Sequence, residues 1–263
     1  MLLRLLIMGL LVAVLAVAGV VWWPGREAAP PTEPLATAPT PEEPAVAVPP
    51  PLTAVPAAEP SPTSAEPVEE QPVLPALDES DPYVRERLLA RAPKLADWLN
   101  RDDLVRRFAV VMDNAAVGDV PRRQLAFLAP AGPFPVLASG DDRFVMDPKG
   151  YARYDGFVDV VTSVPPGVAA GLLTSLAPLL TQALTEIGEP AEEPLATLRD
   201  AIAMVLATPE LDTPVALMQP KVMYKFVDPT LEALPPLQKQ VIRMGPDHVR
   251  QIKAYLRAVE AAL

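Results

Sequence analysis

Apolar positions follow three different patterns along the chain. Nineteen residues from Leu5 to Trp23 pass without a charge or a proline. From Pro24 to Leu77 the apolar residues are small and follow no period, and from Asp78 onward they recur at helical spacing. The chain therefore divides into residues 1–23, 24–77 and 78–263.

In the last part, three Asp-Pro pairs each offer a carboxylate as N-cap and a proline at the first helical position: Asp81-Pro82, Asp147-Pro148 and Asp228-Pro229. The first predicts a helix from Pro82 to about Arg91, ended by Pro93. Asp102 or Asp103 opens the next, which runs through Val117. Leu104, Val105, Phe108, Val111, Met112 and Ala115 share one face of it, and Gly118 follows as terminator. Residues 119–146 break the period. There Phe134–Leu137 and Arg143–Met146 flank Ser139-Gly140-Asp141-Asp142, which predicts a β-hairpin.

Helical spacing returns at Pro148 with Tyr151, Tyr154, Phe157, Val158 and Val161. Further helices are expected over Pro166–Ile187, with Pro178 inside, and over Pro194–Ala207. The stretch that follows is irregular until Pro235. Two last helices meet at Gly245-Pro246, and the final one carries an apolar stripe of Val249, Ile252, Leu256, Val259 and Leu263. The expectation is a mainly α fold: a single domain of about seven to nine helices with a small β-hairpin insert. It is preceded by a transmembrane helix and a disordered linker.

At ~1.5 Å per residue, nineteen apolar residues make a helix of roughly 29 Å, near the ~30 Å hydrocarbon core. Trp22 and Trp23 stand where an interfacial anchor belongs. Ala16-Val17-Ala18 also has the small-x-small pattern of a signal-peptidase site, but the apolar run continues past it. Arg4 lies before the span and only Arg26 shortly after it, so the N-terminus is expected in the cytoplasm. Everything after Trp23 then lies outside the cytoplasm, on a single-pass membrane protein.

Residues 24–77 hold sixteen of the thirty-five prolines, eight glutamates, one arginine and no aromatic residue. Such a stretch cannot bury enough surface to offset the entropy of ordering it. In polyproline II form, at ~3.1 Å per residue, it reaches at most roughly 170 Å.

Charge and composition exclude several functions. Residues 78–263 carry twenty basic against twenty-five acidic side chains, a balance unsuited to general nucleic-acid binding. The chain has no cysteine, which excludes thiolate chemistry, and its single histidine excludes a zinc site built on His and Cys. No phosphate-cradling glycine loop or Gly-x-Ser-x-Gly elbow occurs, so no cofactor is expected. His248, at the third position of the last helix, reads as a cap or packing residue. The acidic pairs Asp102-Asp103, Asp141-Asp142 and Glu192-Glu193 are the candidates for carboxylate catalysis on a glycan. Adjacent acids on a helix point in different directions, so helix caps and turns explain them better.

Two candidate contact surfaces stand out. One is Tyr151, Arg153, Tyr154 and Asp155, because Tyr and Arg are the types that anchor interfaces. The other is a basic stripe of Arg250, Lys253 and Arg257 on the last helix. That stripe fits an acidic protein or an anionic glycan.

Several stretches resemble a known family of bacterial envelope proteins. They are Leu77-Asp78-Glu79-Ser80-Asp81, Asp103-Leu104-Val105-Arg106-Arg107-Phe108, Met112-Asp113-Asn114, Tyr151-Ala152-Arg153-Tyr154-Asp155, Gln238-Lys239 and Arg243-Met244-Gly245-Pro246. The family is catalogued as a domain of unknown function, with an N-terminal span, a proline-rich linker and this C-terminal domain. The resemblance implies a Gram-negative envelope and no particular reaction. The leading expectation is a membrane-tethered, non-catalytic adaptor. An envelope glycan hydrolase and a structural spacer between membrane and wall are the alternatives.

Overall fold

In the computed structural model, residues 74–188 and 193–263 are described. The expected span from Leu5 to Trp23, most of the linker and Glu192 lie outside the described residues. Leu74 and Leu77 pack on the main core, so the packed region begins slightly before Asp78.

Ten α-helices are present among the described residues, joined by short 3₁₀ turns. They are α1 (Ser80–Leu89), α2 (Ala96–Leu99), α3 (Leu104–Ala116), α4 (Arg122–Leu125), α5 (Asp155–Thr162), α6 (Pro166–Glu186), α7 (Pro194–Leu206), α8 (Pro229–Glu232), α9 (Pro236–Ile242) and α10 (Pro246–Glu260). The expected seven to nine becomes ten because α2, α4 and α8 are single turns, too short to impose a hydrophobic period.

α3 is the centre of the bundle and packs on α6 and α7. All six of its predicted face residues are buried, with Ala109 beside them. Burying a side chain as large as Phe108 contributes ~1.5–3 kcal/mol, so this stripe is the main local reason that α3 sits where it does. Gly118 ends the helix at φ 78°, a conformation that suits glycine. α6 runs unbroken through Pro178 and buries ten residues, including Leu172, Leu173, Leu176 and Leu180. It is long and apolar enough to cross a membrane, but its place is among the helices of the core.

The hairpin expectation is met and exceeded. β1 (Val136–Gly140) pairs with β2 (Arg143–Met146), and Asp142 takes the left-handed turn conformation at φ 52°. β2 then pairs with β3 (Ala216–Met218), and β3 with β4 (Lys225–Phe226), all antiparallel. The stretch expected to be irregular thus supplies half of a four-stranded sheet. Strands of three and two residues show no alternation, and the partner of β3 lies about seventy residues earlier. The sheet covers a second, smaller core of Met146, Val215, Leu217, Phe226 and Ile242, against which Tyr151 packs.

Two of the three Asp-Pro pairs act as expected. The Asp147 carboxylate accepts from Lys149 N–H at 2.9 Å, and that of Asp228 accepts from Thr230 N–H at 2.8 Å. Asp81 does something else. α1 begins one residue before it, and its two carboxylate oxygens accept from the backbone N–H groups of Asp103 and Leu104, both at 2.8 Å. It caps α3 from another helix.

Candidate binding cleft

Gly245 precedes α10 at φ 89° and ψ 160°. This extended, positive-φ geometry suits only glycine. It turns the chain so that Pro246, which lacks an N–H, starts the helix, and it leaves room for the Tyr151 ring directly above. A Cβ on Gly245 would stand 2.5 Å from that ring. Tyr151 comes from the 3₁₀ turn Pro148–Tyr154 that leads into α5. The two segments and residues 212–214 enclose an open cleft of about 500 Å³, within the roughly 300–1,000 Å³ usual for ligand sites. Tyr151, Asp155, Asp212, Asp247, His248 and Gln251 are its main polar lining, with Pro148, Pro214 and Pro246 between them.

His248 lies at the inner wall, with only 12% of its side chain exposed. Its Nδ1 is 2.8 Å from the Met244 carbonyl oxygen, and its Nε2 is 2.9 Å from Asp155 Oδ1. Both partners are acceptors, so both contacts are hydrogen bonds only when the ring carries two hydrogens. The His248 ring also meets Tyr154 edge-on, with centroids 6.5 Å apart.

The sequence-derived residues separate into different roles. Tyr151 and Asp155 line the cleft. Tyr154 is buried beneath it, and burial pushes its hydroxyl above the usual phenol range against the nearby Arg153 charge. Tyr151 is raised too, by burial and by Asp147, so both phenols stay protonated hydrogen-bond donors near neutral pH. Arg153 donates to the carbonyl oxygens of Ala131, Gly132 and Pro133, fixing the loop before β1.

The basic stripe is not a continuous free surface. Arg250 donates to Asp247 at 2.6 Å and to Asp212 at 3.1 Å. Lys253 is buried, with Nζ 2.7 Å from Glu210 and 3.0 Å from the Thr208 carbonyl oxygen. Arg257 alone of the three is exposed and outside these bonds. Together Arg250 and Lys253 strap residues 208–212 onto α10, and Asp212, at the end of this strap, forms the second wall of the cleft with Thr213 and Pro214.

Two of the acidic pairs have structural contacts. Asp102 and Asp103 meet Arg85 and Arg106, and Asp142 makes the hairpin turn. No group of three or more His, Cys, Asp and Glu suited to a metal occurs among the described residues.

The family described as proteins of unknown function, DUF3014, matches residues 104–260. The chain belongs to the DUF3014 family. No curated protein and no solved structure matches it. The DUF3014 region contains all of the cleft lining but stops short of α1 and its Asp81 cap. Two of the stretches that carried the resemblance, Tyr151–Asp155 and Arg243–Pro246, meet at the cleft across some ninety residues of sequence.

Sequence reasoning did not find the strap. Glu210, Asp212 and Thr213 sit in a stretch with no period, and their role depends on α10. The one available signal was Gly245-Pro246-Asp247-His248, a glycine and proline ahead of the sole histidine.

The strap makes the fold sensitive to acid. The hydrogen bond from Lys253, and then its charge, hold the Glu210 carboxyl below the usual glutamate range. A carboxyl lowered by folding adds stability above its unfolded value near ~4.3 and loses it as pH falls through the folded value. Glu210→Gln is therefore expected to melt below wild type at pH 7, with the gap narrowing once the pH drops under ~4. Thermal melts at both pH values measure this, and an unchanged gap would disprove the coupling.

Proposed function

We propose that this protein is a non-catalytic binding module of the bacterial envelope. Leu5–Trp23 holds it to the inner membrane, and the cleft between Tyr151, the strap and α10 takes its partner. The observation that carries this reading is the state of His248. A nucleophilic hydrolase needs a histidine nitrogen free to accept a proton from the nucleophile. Here one ring nitrogen faces the Met244 carbonyl and the other faces Asp155. The cleft itself is open and partly apolar, with polar groups at its margin, which is a binding geometry. A passive spacer has no use for such a cleft. The long arm lets the folded region search a wide volume while staying at high effective concentration near partners in the envelope.

Photo-crosslinking in the full-length protein, in its own membrane, tests this. p-Benzoylphenylalanine replaces Ala152 or Thr213, which are exposed at the cleft, or Val117, which is 74% exposed and outside the cleft lining. Adducts from positions 152 and 213 but not 117 are expected. Equal adducts at all three, or none at the cleft, would refute the reading.

A further inference from the structure

We propose that the occupant of this cleft is a lysine- or arginine-bearing segment of another polypeptide, seated on Tyr151 and the surrounding prolines with its cations against Asp155, Asp212 and Asp247. The proposal rests on the cleft being a binding site and names what it binds.

The lining has acceptors to spare and no free cation. Asp155, Asp212 and Asp247 each use Oδ1 internally, on His248 or on Arg250. The second oxygen of each has no partner among the described residues, and the three side chains are 64%, 87% and 83% exposed. No lysine or arginine lines the cleft. On α10, Arg250 is engaged by two carboxylates and Lys253 by Glu210 beneath the strap. An incoming anion would meet uncompensated carboxylates, and an incoming ammonium or guanidinium would complete their hydrogen bonding. The start of α10 does not reverse this preference. Pro246 has no N–H to offer, and Asp247 already places a negative charge in the first turn.

The apolar part of the lining fits the rest of such a side chain. Long cationic residues lay their methylene stems on apolar surface and keep the charged head at a polar rim. Tyr151, Pro148, Pro214 and Pro246 provide that surface, and the three carboxylates lie on its margin.

The carboxylates come from three separate segments: the start of α5, the strap and the first turn of α10. A groove of about 500 Å³ with acids from three segments suits a run of residues carrying more than one cation better than one small amine. The chain's own linker is an unsuitable occupant, because residues 24–77 carry eight glutamates and one arginine. Like charge would keep that arm out of the groove and leave it open to a partner, and the chain's net charge of −11 would draw a basic one in.

The test uses the full-length protein in detergent micelles and fluorescence anisotropy with labelled eight-residue peptides. One peptide alternates alanine with lysine, the other alanine with glutamate. Chitotetraose serves as the glycan comparison. The lysine peptide is expected to bind and the glutamate peptide not, with affinity falling as salt rises. Asp212→Asn/Asp247→Asn should weaken binding by about tenfold or more. The variant is first shown by circular dichroism to melt cooperatively.

Equal binding of both peptides, or no effect of the asparagine pair, would overturn the proposal. So would chitotetraose binding without the lysine peptide, which would assign the groove to a glycan. If crosslinks at positions 152 and 213 persist while the lysine peptide fails, the binding-module reading stands and the basic ligand falls. If the crosslinks fail as well, both fall.

Discussion

Gly245→Ala is expected to destabilise the fold by roughly 2–6 kcal/mol, the largest effect of any single methyl group added at the cleft. Two separate terms contribute. The backbone at φ 89° and ψ 160° is one that residues other than glycine rarely adopt, which costs about 1–3 kcal/mol. The new Cβ would also lie 2.5 Å from Cγ and Cδ2 of Tyr151. That ring has no easy retreat, because it packs against the small core under the sheet. Crowding of this kind costs a further ~1–3 kcal/mol. The melting temperature should fall by roughly 5–20 °C for a folded region of this size.

A double variant separates the two terms. Tyr151→Ala/Gly245→Ala should recover the crowding part and retain the backbone part, so the two substitutions will not add. A Gly245→Ala protein that melts with wild type would mean that Tyr151 does not stand over Gly245. Lysine-peptide binding should also drop in Gly245→Ala, since the ring that forms one wall must shift.

Asp81→Ala should destabilise by about 2–4 kcal/mol, although the residue lies outside the family-matched region. Its two oxygens hold the N–H groups of Asp103 and Leu104, and its side chain is only 16% exposed. Hydrogen bonds to a charged acceptor contribute ~1.5–3 kcal/mol, and these two share one carboxylate, so they do not add in full. Asp103 sits at φ 59° and its own side chain makes no capping bond, so α3 has no replacement at that end. Asp81→Asn keeps one acceptor oxygen and should lose about half as much. Denaturant melts of the three proteins decide the matter: if Asp81→Ala and wild type share a midpoint, the cap contributes nothing.

Asp81 also shows where reading the chain succeeds and where it stops. An Asp-Pro pair correctly signals that a carboxylate will cap a helix, because the preference is local chemistry. At Asp147 and Asp228 the capped helix is the next one in sequence. At Asp81 the same carboxylate meets a helix that starts more than twenty residues later, and no local rule names that target.

The same division holds for the cleft. Tyr151 and Asp155 were legible as interface types, but the neighbouring Arg153 and Tyr154 went to a loop and to the core. Which of four adjacent side chains faces outward depends on the 3₁₀ turn that carries them and on what packs beneath. The basic stripe lies on α10 as its spacing implied. Only the fold shows that Lys253 is buried against Glu210 and that Arg250 is paired with Asp212 and Asp247, while Arg257 stays exposed.

From the sequence alone came the helical class, the buried stripes of α3 and α10, and the hairpin of β1 and β2. Each depends on residues within a turn or two of one another, where spacing translates directly into a shared face. Tertiary structure alone decided the pairing of β2 with β3, the Asp81 cap, the burial of Lys253 and the meeting of Tyr151 with Gly245. These join segments tens of residues apart, and their energies come from packing and charge pairing that exist only once the chain has closed on itself.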